Sequence, residues 1–343
     1  MESYVIERIP ELPCPEGSDK QIRARITEFN RFASGLDASQ LPRLLDEAQN
    51  PSSACRGLEM LYGAADLLSV EAAGAYRKTM VLLAVAGTVL TLAFLLYDEA
   101  ELFWMIWLVG AMLVWQIVLR RASRRSRAHR HYLEYRVLAE YLRVQVMLHH
   151  AGSALRAKDL LTWSQRDDMR WVAAALDALD DMPAGVPHDI SDCWVGDQRR
   201  YHENAVARSQ QAVAYSDRVV RLATAASVVL YVIALGFELA CGGLSGQAPL
   251  AGVPVDVWRA VLKIALGGLS AATLFVSSYF GSLSLPRVLA DHERLARFYA
   301  QAEVWLAEQG QSEELLGHIA REELAETSNW YSYQQDNVPD INV

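Results

Sequence analysis

Residues 79–97 read TMVLLAVAGTVLTLAFLLY, a stretch without a charged side chain that decides the fold class. At a rise of roughly 1.5 Å per residue, about 19 helical residues cover the ~30 Å hydrocarbon core of a bilayer. Three further apolar stretches lie at 102–119, 222–241 and 264–285, and Glu238 is the one charged residue within them. Because only residues 98–101 link the first two, they predict an antiparallel helical hairpin, and the last two predict a second one.

The sequence between and around these stretches has helical rather than alternating periodicity. We therefore expect an all-α integral membrane protein, with two transmembrane helical hairpins and cytoplasmic helical extensions. Its predicted parts are an N-terminal arm (1–55), a juxtamembrane helix with hairpin 1 (56–119), a helical region (120–221), hairpin 2 (222–285) and C-terminal helices (286–343). Helices outside the spans are expected at 20–33, 55–78, 131–150, 163–179, 193–220, 285–310 and from 312 to near 330. The helix at 131–150 is expected to continue the second span for several turns, with one face formed by Tyr135, Leu138, Leu142, Gln145 and His149.

Lysine and arginine are concentrated on one side of the predicted spans. The links on the other side, 98–101 and 242–257, contain neither residue. This bias predicts a multi-pass protein of the bacterial inner membrane with both termini in the cytoplasm. The arginine run after the second span either fixes this topology and binds lipid head groups, or forms an anion-attracting vestibule. The flanking residues are Arg77, Lys78, Arg120, Arg121, Arg124, Arg125, Arg127, Arg130, Arg218, Arg221 and Arg287.

Several functional classes fit the sequence poorly. A net charge of -9 disfavours a general nucleic-acid binder, and the four cysteines stand singly, without the spacing of a zinc site. No glycine-rich phosphate loop, dinucleotide motif or nucleophile–base pattern occurs. We expect neither enzymatic activity, nor a cofactor, nor a metal.

Polar residues inside the predicted spans are candidates for lining a pore. Glu238 and Lys263 fall at similar depth near the outer ends of the third and fourth spans. They form a structural ion pair, snorkel to the membrane interface, or make a charged ring at a pore mouth. The fourth span is rich in small and hydroxyl residues, and Ser270, Ser277 and Ser284 recur every seven residues. Such a face either packs against another helix or lines water.

Two groups of aromatic, basic and amide residues outside the spans are candidates for binding a ligand. Aromatic rings stack on bases and arginine binds phosphate, so these groups predict nucleotide contacts. Helix packing with buried polar contacts is the alternative. The predicted contact residues are Tyr135, Arg136, Arg143 and Gln145 in the first group and Trp194, Tyr201, His202 and Asn204 in the second.

The same groups carry a family resemblance. The first group, with Ala139 and Glu140, resembles the helix after the first hairpin in SLATT-like and related multi-helix membrane proteins of bacterial anti-phage defence. The second, with Gln198 and Ala205, is similar to the helix that leads into their second hairpin. Further similar positions are Ala65, Asp66, Tyr76, Glu326 and Trp330.

The resemblance implies a membrane effector that depolarises or permeabilises the inner membrane during infection. The fused nucleotide-binding or TIR-type sensor of such proteins is missing, so the trigger would come from a partner nucleotidyltransferase that makes a nucleotide second messenger or oligonucleotide, as in Hailong-like or CBASS-like systems. We accordingly expect a homo-oligomeric, ligand-gated ion channel. A non-conducting membrane scaffold that recruits a cytoplasmic enzyme is the rival interpretation, and a secondary transporter is a weaker third.

Overall fold

The computed structural model describes residues 8–46, 49, 51–161, 163–179, 185–241 and 249–336. Over this part of the chain the fold is helical, apart from one short hairpin in which β1 (Pro249–Leu250) pairs antiparallel with β2 (Val253–Pro254). The α-helices are α1 (Lys20–Ala33), α2 (Ser53–Glu99), α3 (Met105–Ser126), α4 (Ala128–His150), α5 (Trp163–Asp168), α6 (Arg170–Ala178), α7 (Asp197–Cys241), α8 (Val255–Leu283), α9 (Leu285–Gln309) and α10 (Glu313–Asp336).

Most of the predicted helices are confirmed. Helix α1 has the predicted bounds, and the Asp19 carboxylate accepts a hydrogen bond from the Ile22 N–H at 2.8 Å, which caps its first turn. Helices α2 and α7 each run without a break from a polar segment into an apolar one. A π-helical turn, Ser191–Gly196, precedes α7, and 3₁₀ turns lie at Ala38–Gln40 and Ala157–Leu160.

Three helix bounds differ from the prediction. The second apolar helix does not continue through 131–150, because Arg127 adopts a left-handed conformation (φ 50°) that interrupts the hydrogen-bond ladder between α3 and α4. Helix α8 spans 255–283 rather than 264–285, and Ser284 is also left-handed (φ 47°). Pro286 accounts for that break, because it has no N–H to donate to the carbonyl of Ser282 and is tolerated in the first turn of α9. The predicted helix 163–179 is divided at Met169.

Four helical stretches of the described chain are long and apolar enough to cross a membrane: Ser53–Glu99, Met105–His150, Ser191–Cys241 and Val255–Gln309. They contain the predicted segments 79–97, 222–241 and 264–285, and all of 102–119 except residues 102–104. A multi-pass membrane protein is the class that such helices indicate.

The chain divides into two compact units. The bundle unit comprises the described parts of Met1–Ala75, Arg127–Val206 and Ala290–Val338. The hydrophobic unit contains Tyr76–Ser126 and the described parts of Ala207–Leu289, which include all the apolar segments.

Helix α4 is the centre of the bundle unit. The sequence predicted one apolar face for this helix, but its side chains are buried on every side, including the fully covered Val137, Leu142 and Val144. Helix α10 packs directly on α4, and α1 packs on α6. A polar side chain on α4 therefore faces other helices of the bundle, and the buried Glu134 and Glu140 require partners there.

Candidate functional site

A network of charged side chains crosses the interior of the bundle unit. The guanidinium of Arg143 on α4 lies 2.6 Å from a carboxylate oxygen of Glu140 and 2.8 Å from one of Glu323 on α10. Both glutamates are buried. Burial alone would lower the pKa of Arg143, but the Glu140 and Glu323 carboxylates raise it above its ordinary value. The arginine is therefore held in its charged form between two carboxylates.

Glu323 joins the network to two more segments. Its carboxylate accepts hydrogen bonds from the indole N–H of Trp194 at 2.8 Å and from the hydroxyl of Tyr299 at 2.7 Å. Trp194 lies in the π-helical turn before α7, and Tyr299 lies on α9. One carboxylate thus ties four segments together, and its lone pairs are satisfied as a buried charge requires.

Arg136 extends the network to α2. Its guanidinium lies 2.7 Å from the Asp66 carboxylate and also pairs with Glu140, one helical turn along α4. Glu326 on α10 lies near the same charges. Burial and the Glu140 carboxylate raise the pKa of Glu326 to about 7, although Arg136 and Arg143 oppose the shift. This carboxyl group is therefore poised to titrate near neutral pH.

A pair of histidines lies beside the network. The Nδ1 atoms of His202 on α7 and His292 on α9 are 3.0 Å apart, so one ring donates a proton and the other accepts it. The His202 ring also stacks on Tyr299, with ring centres 5.6 Å apart. Burial and the neighbouring His292 lower the pKa of His202 to about 3. His202 is neutral at physiological pH.

The predicted ligand residues separate into two classes. Arg136, Arg143, Trp194 and His202 come together in and beside the network. The other members are placed elsewhere. Gln145 accepts a hydrogen bond from the Ala157 N–H at 2.9 Å, Tyr135 packs between Phe29 and Trp171, Tyr201 has an exposed ring edge-on to His202, and Asn204 is exposed.

In the hydrophobic unit, the two predicted pore-mouth charges do not pair with each other. Glu238 accepts hydrogen bonds from Arg259, the shortest at 3.0 Å, and Lys263 lies 3.0 Å from Glu99 at the end of α2. The suggested Glu238–Lys263 ion pair is therefore wrong. The sequence analysis missed Arg259, which lies one helical turn before Lys263 and competes successfully for Glu238.

The small residues of α8 belong to two different faces. A Cβ atom at Gly267 would come within 2.8 Å of the Leu95 side chain of α2, and one at Gly268 would meet Leu92, so the glycine face packs against α2. Ser270 is exposed and Ser277 is half-buried. We call these two serines the hydroxyl face. Ser284 does not continue it, because α8 ends at Leu283.

Sequence reasoning missed Glu323, Tyr299 and His292 as members of the site. For Glu323 a signal exists: it continues the spacing of Leu316, Ile319 and Ala320, the buried stripe of α10. A carboxylate on an apolar stripe needs a buried partner. No comparable signal marks His292.

Among the described residues, no group of three or more histidine, cysteine, aspartate or glutamate side chains is arranged to hold a metal ion. Comparison with known proteins finds no protein-family model, no curated protein and no solved structure that matches this chain.

Proposed function

We propose that this protein is a homo-oligomeric membrane effector, whose fourth apolar helix lines an ion path through the bacterial inner membrane. The observation that carries the proposal is the division of α8 into two faces. Its glycines are used in packing against α2, whereas Ser270 remains uncovered. Packing within the unit leaves these small hydroxyl side chains uncovered. In an oligomer of several copies of the chain, they are suited to line a water-filled path.

The proposed topology consists of two transmembrane hairpins with both termini in the cytoplasm. The pairing of Lys263 with Glu99, and of Arg259 with Glu238, supports it. These contacts bring the ends of α2 and α7, the first and third spans, together with the start of α8, the fourth, so α8 runs antiparallel to both. They also neutralise the basic residues at that end, whereas the arginine run at 120–130 remains a basic flank for the cytoplasmic side.

An oligomer is part of the proposal because four helices packed together enclose no wide channel. Ring symmetry would place the hydroxyl face of each subunit around one axis. The surface of the hydrophobic unit offers apolar contacts for neighbouring copies and for lipid, including exposed Leu274 beside Ser270 on the same helix. Membrane lipid and further copies of the chain are the proposed partners.

We assign control of the path to the charge network of the bundle unit. Arg136 and Arg143 are the groups that would bind a phosphate, but both already form ion pairs with carboxylates. A nucleotide second messenger from a partner enzyme would therefore act by exchange, its phosphates replacing Glu140 or Glu323 at the arginines. Loss of those ties would release α10 from α4. Such a ligand shifts the equilibrium between the paired and released states of α4 and α10 only to the extent that it binds the released state more tightly.

A function in anti-phage defence rests on the resemblance to SLATT-like proteins. The first test is the mass of the purified protein in mild detergent, together with the membrane potential of bacteria that overproduce it. We expect a closed oligomer and a depolarised membrane. A monomer that leaves the potential unchanged contradicts the proposal.

A further inference from the structure

The junction between α3 and α4 is a break without a helix-breaking residue. Arg127 alone separates the two helices, and its backbone is left-handed (φ 50°, ψ 23°). The sequence contains neither proline nor glycine from 111 to 151. The comparable break at Ser284 has Pro286 beside it. The break at Arg127 therefore requires a different cause.

The left-handed conformation of Arg127 is costly for the backbone. A Cβ atom crowds the following carbonyl oxygen in this conformation, so glycine is the residue that adopts it most readily. Gly17, Gly152, Gly252 and Gly310 adopt it elsewhere in this chain. Arginine and alanine, which are common around the break, are good helix formers. The backbone would therefore gain free energy if α3 and α4 formed one continuous helix.

The charge of this segment opposes such joining. Six arginines lie at positions 120–130, and the sequence has no aspartate or glutamate from 102 to 133. In a continuous helix, Arg127 would lie one turn from both Arg124 and Arg130. Like charges at this spacing destabilise a helix. Repulsion between the arginines therefore favours a break within the run.

Three of these arginines are exposed and lack a carboxylate partner. Arg121 and Arg125 lie one turn apart near the end of α3, and Arg127 follows them. Among the residues that the structure describes, none of the three forms an ion pair, whereas Arg130 donates to Glu134 at 2.6 Å. The three guanidinium groups can therefore bind an anion from outside the chain.

The membrane is the nearest source of such anions. The apolar part of α3 ends at Leu119, and Arg121 and Arg125 lie about 3 Å and about 9 Å further along the helix. When α3 spans the bilayer, both guanidinium groups lie at the depth of the phospholipid head groups. Arginine binds phosphate there, and anionic lipids attract basic segments next to a span.

We propose that the α3–α4 junction is a switch controlled by anionic phospholipid. Head groups bind Arg121 and Arg125, their phosphates offset the repulsion within the arginine run, and Arg127 then takes up helical conformation. The continuous helix holds more arginines within one turn of each other, so it binds phosphate more tightly than the broken form, as a switch requires. The inference goes beyond the ion path and does not depend on it.

Amide hydrogen exchange of the purified full-length protein tests the switch. In a continuous helix, the N–H groups around Arg127 donate to carbonyl groups one turn back and exchange slowly. We expect exchange over 124–131 to be about tenfold slower in nanodiscs of phosphatidylglycerol than in phosphatidylcholine, the order set by the cost of one left-handed non-glycine residue. The buried part of α4 at 137–148 is the internal reference and should exchange equally in both lipids.

Two variants of Arg127 remove the same charge and differ in backbone preference. Arg127→Gly fits the left-handed conformation and should exchange rapidly in both lipids. Arg127→Ala favours the helix and should exchange slowly even in phosphatidylcholine. Arg121→Gln/Arg125→Gln removes the binding groups, so exchange should no longer differ between the lipids. Arg218→Gln changes an exposed arginine of α7 outside the junction and should retain the difference.

Three results would overturn the inference. One is equal or faster exchange of the wild-type junction in phosphatidylglycerol. Another is the same slow exchange in Arg127→Gly, which would show that the head groups only shield the amides from water. The third is equally slow exchange in phosphatidylcholine with added inorganic phosphate, which would make a free anion sufficient and remove the role of the lipid.

Discussion

Arg143 and Glu323 are 180 positions apart in the sequence, yet their side chains form an ion pair of 2.8 Å inside the bundle unit. Glu323 is the more consequential partner because Trp194 and Tyr299 also donate to it. Removing the Glu323 carboxylate leaves the buried guanidinium of Arg143, the indole N–H of Trp194 and the hydroxyl of Tyr299 with fewer acceptors. Breaking a buried pair in this way destabilises proteins by about 3–5 kcal/mol.

We therefore predict that Glu323→Gln lowers the melting temperature of the purified protein by several degrees. The amide retains the shape of the side chain but loses the charge. Glu303→Gln is the matched control, because the Arg199–Glu303 pair is partly exposed and exposed pairs contribute about 0–1 kcal/mol. Equal melting temperatures for the two variants would show that the buried pair contributes no more than an exposed one.

The pKa of His202 predicts loss of stability in acid. Its folded-state pKa of about 3 lies below the ordinary value of 6.5, so the unfolded chain binds a proton that the folded chain does not. Stability from this residue is complete above pH 6.5 and falls as the pH drops toward 3. His202→Gln should reduce the decrease in melting temperature between about pH 7 and about pH 5. An unchanged decrease would contradict the assignment.

The raised pKa of Glu326 predicts the opposite dependence of stability on pH. Its folded-state pKa of about 7 exceeds the ordinary 4.5, so the folded protein binds the proton more tightly, and stability rises as the pH falls from 7 toward 4.5. The groups that face it are Glu140, Arg136, Arg143 and Asp291. Glu326→Gln, a permanent neutral form, should raise the melting temperature near pH 8 and have little effect near pH 5 (both values approximate). A lower melting temperature near pH 8 would show that the charged carboxylate is needed.

Packing between α2 and α8 predicts the effect of a larger residue at Gly87. A Cβ atom there would lie 2.5 Å from the tip of the Phe275 ring. Gly87→Leu should therefore force the two helices apart and reduce the amount of assembled protein, measured by size-exclusion chromatography in detergent. Gly110→Leu on α3 is the control, because no atom lies within 4 Å of a Cβ at that position. Normal assembly of Gly87→Leu would count against close packing of these helices.

The topology predicts that a reporter fused after Val343 is cytoplasmic. A reporter inserted at Ser245, which lies outside the described residues, should be periplasmic, because the basic flanks fall on the opposite side of the spans. A periplasmic reporter at the C-terminus would reverse the proposed orientation.

The helices could be predicted from the sequence because they depend on local signals. Uninterrupted apolar runs indicated the spans, and the amphipathic stretch 20–33 indicated α1. Pro286 indicates a helix break near Ser284, whereas the seven-residue spacing of the serines favoured a continuous helix. The break at Arg127 has no such signal, since arginine is a good helix former.

The site was harder to predict because its members come from distant segments. Arg136, Arg143, Trp194 and His202 were selected by residue type, and they do converge. Glu140 lies within one helical turn of both arginines, whereas Asp66 and Glu323 reach them through tertiary packing. Of these two distant partners, only Glu323 is marked in the sequence, by its place on the buried stripe of α10. Arg259 shows the same limitation. Arg259 and Lys263 lie one turn apart on the same face of α8, so the partner of Glu238 depends on the position of α7 along α8.

Ion flux through the purified protein in liposomes tests the central claim most directly. We predict that the wild-type protein collapses an imposed membrane potential and that Ser270→Leu/Ser277→Leu, which makes the hydroxyl face hydrophobic, inserts and assembles normally but conducts little. Ser278→Leu is the control, since it is exposed on α8 but lies about 100° around the helix from Ser277. An assembled wild-type protein that leaves the potential intact would favour the non-conducting scaffold, and full conduction by the double variant would exclude the hydroxyl face as the ion path.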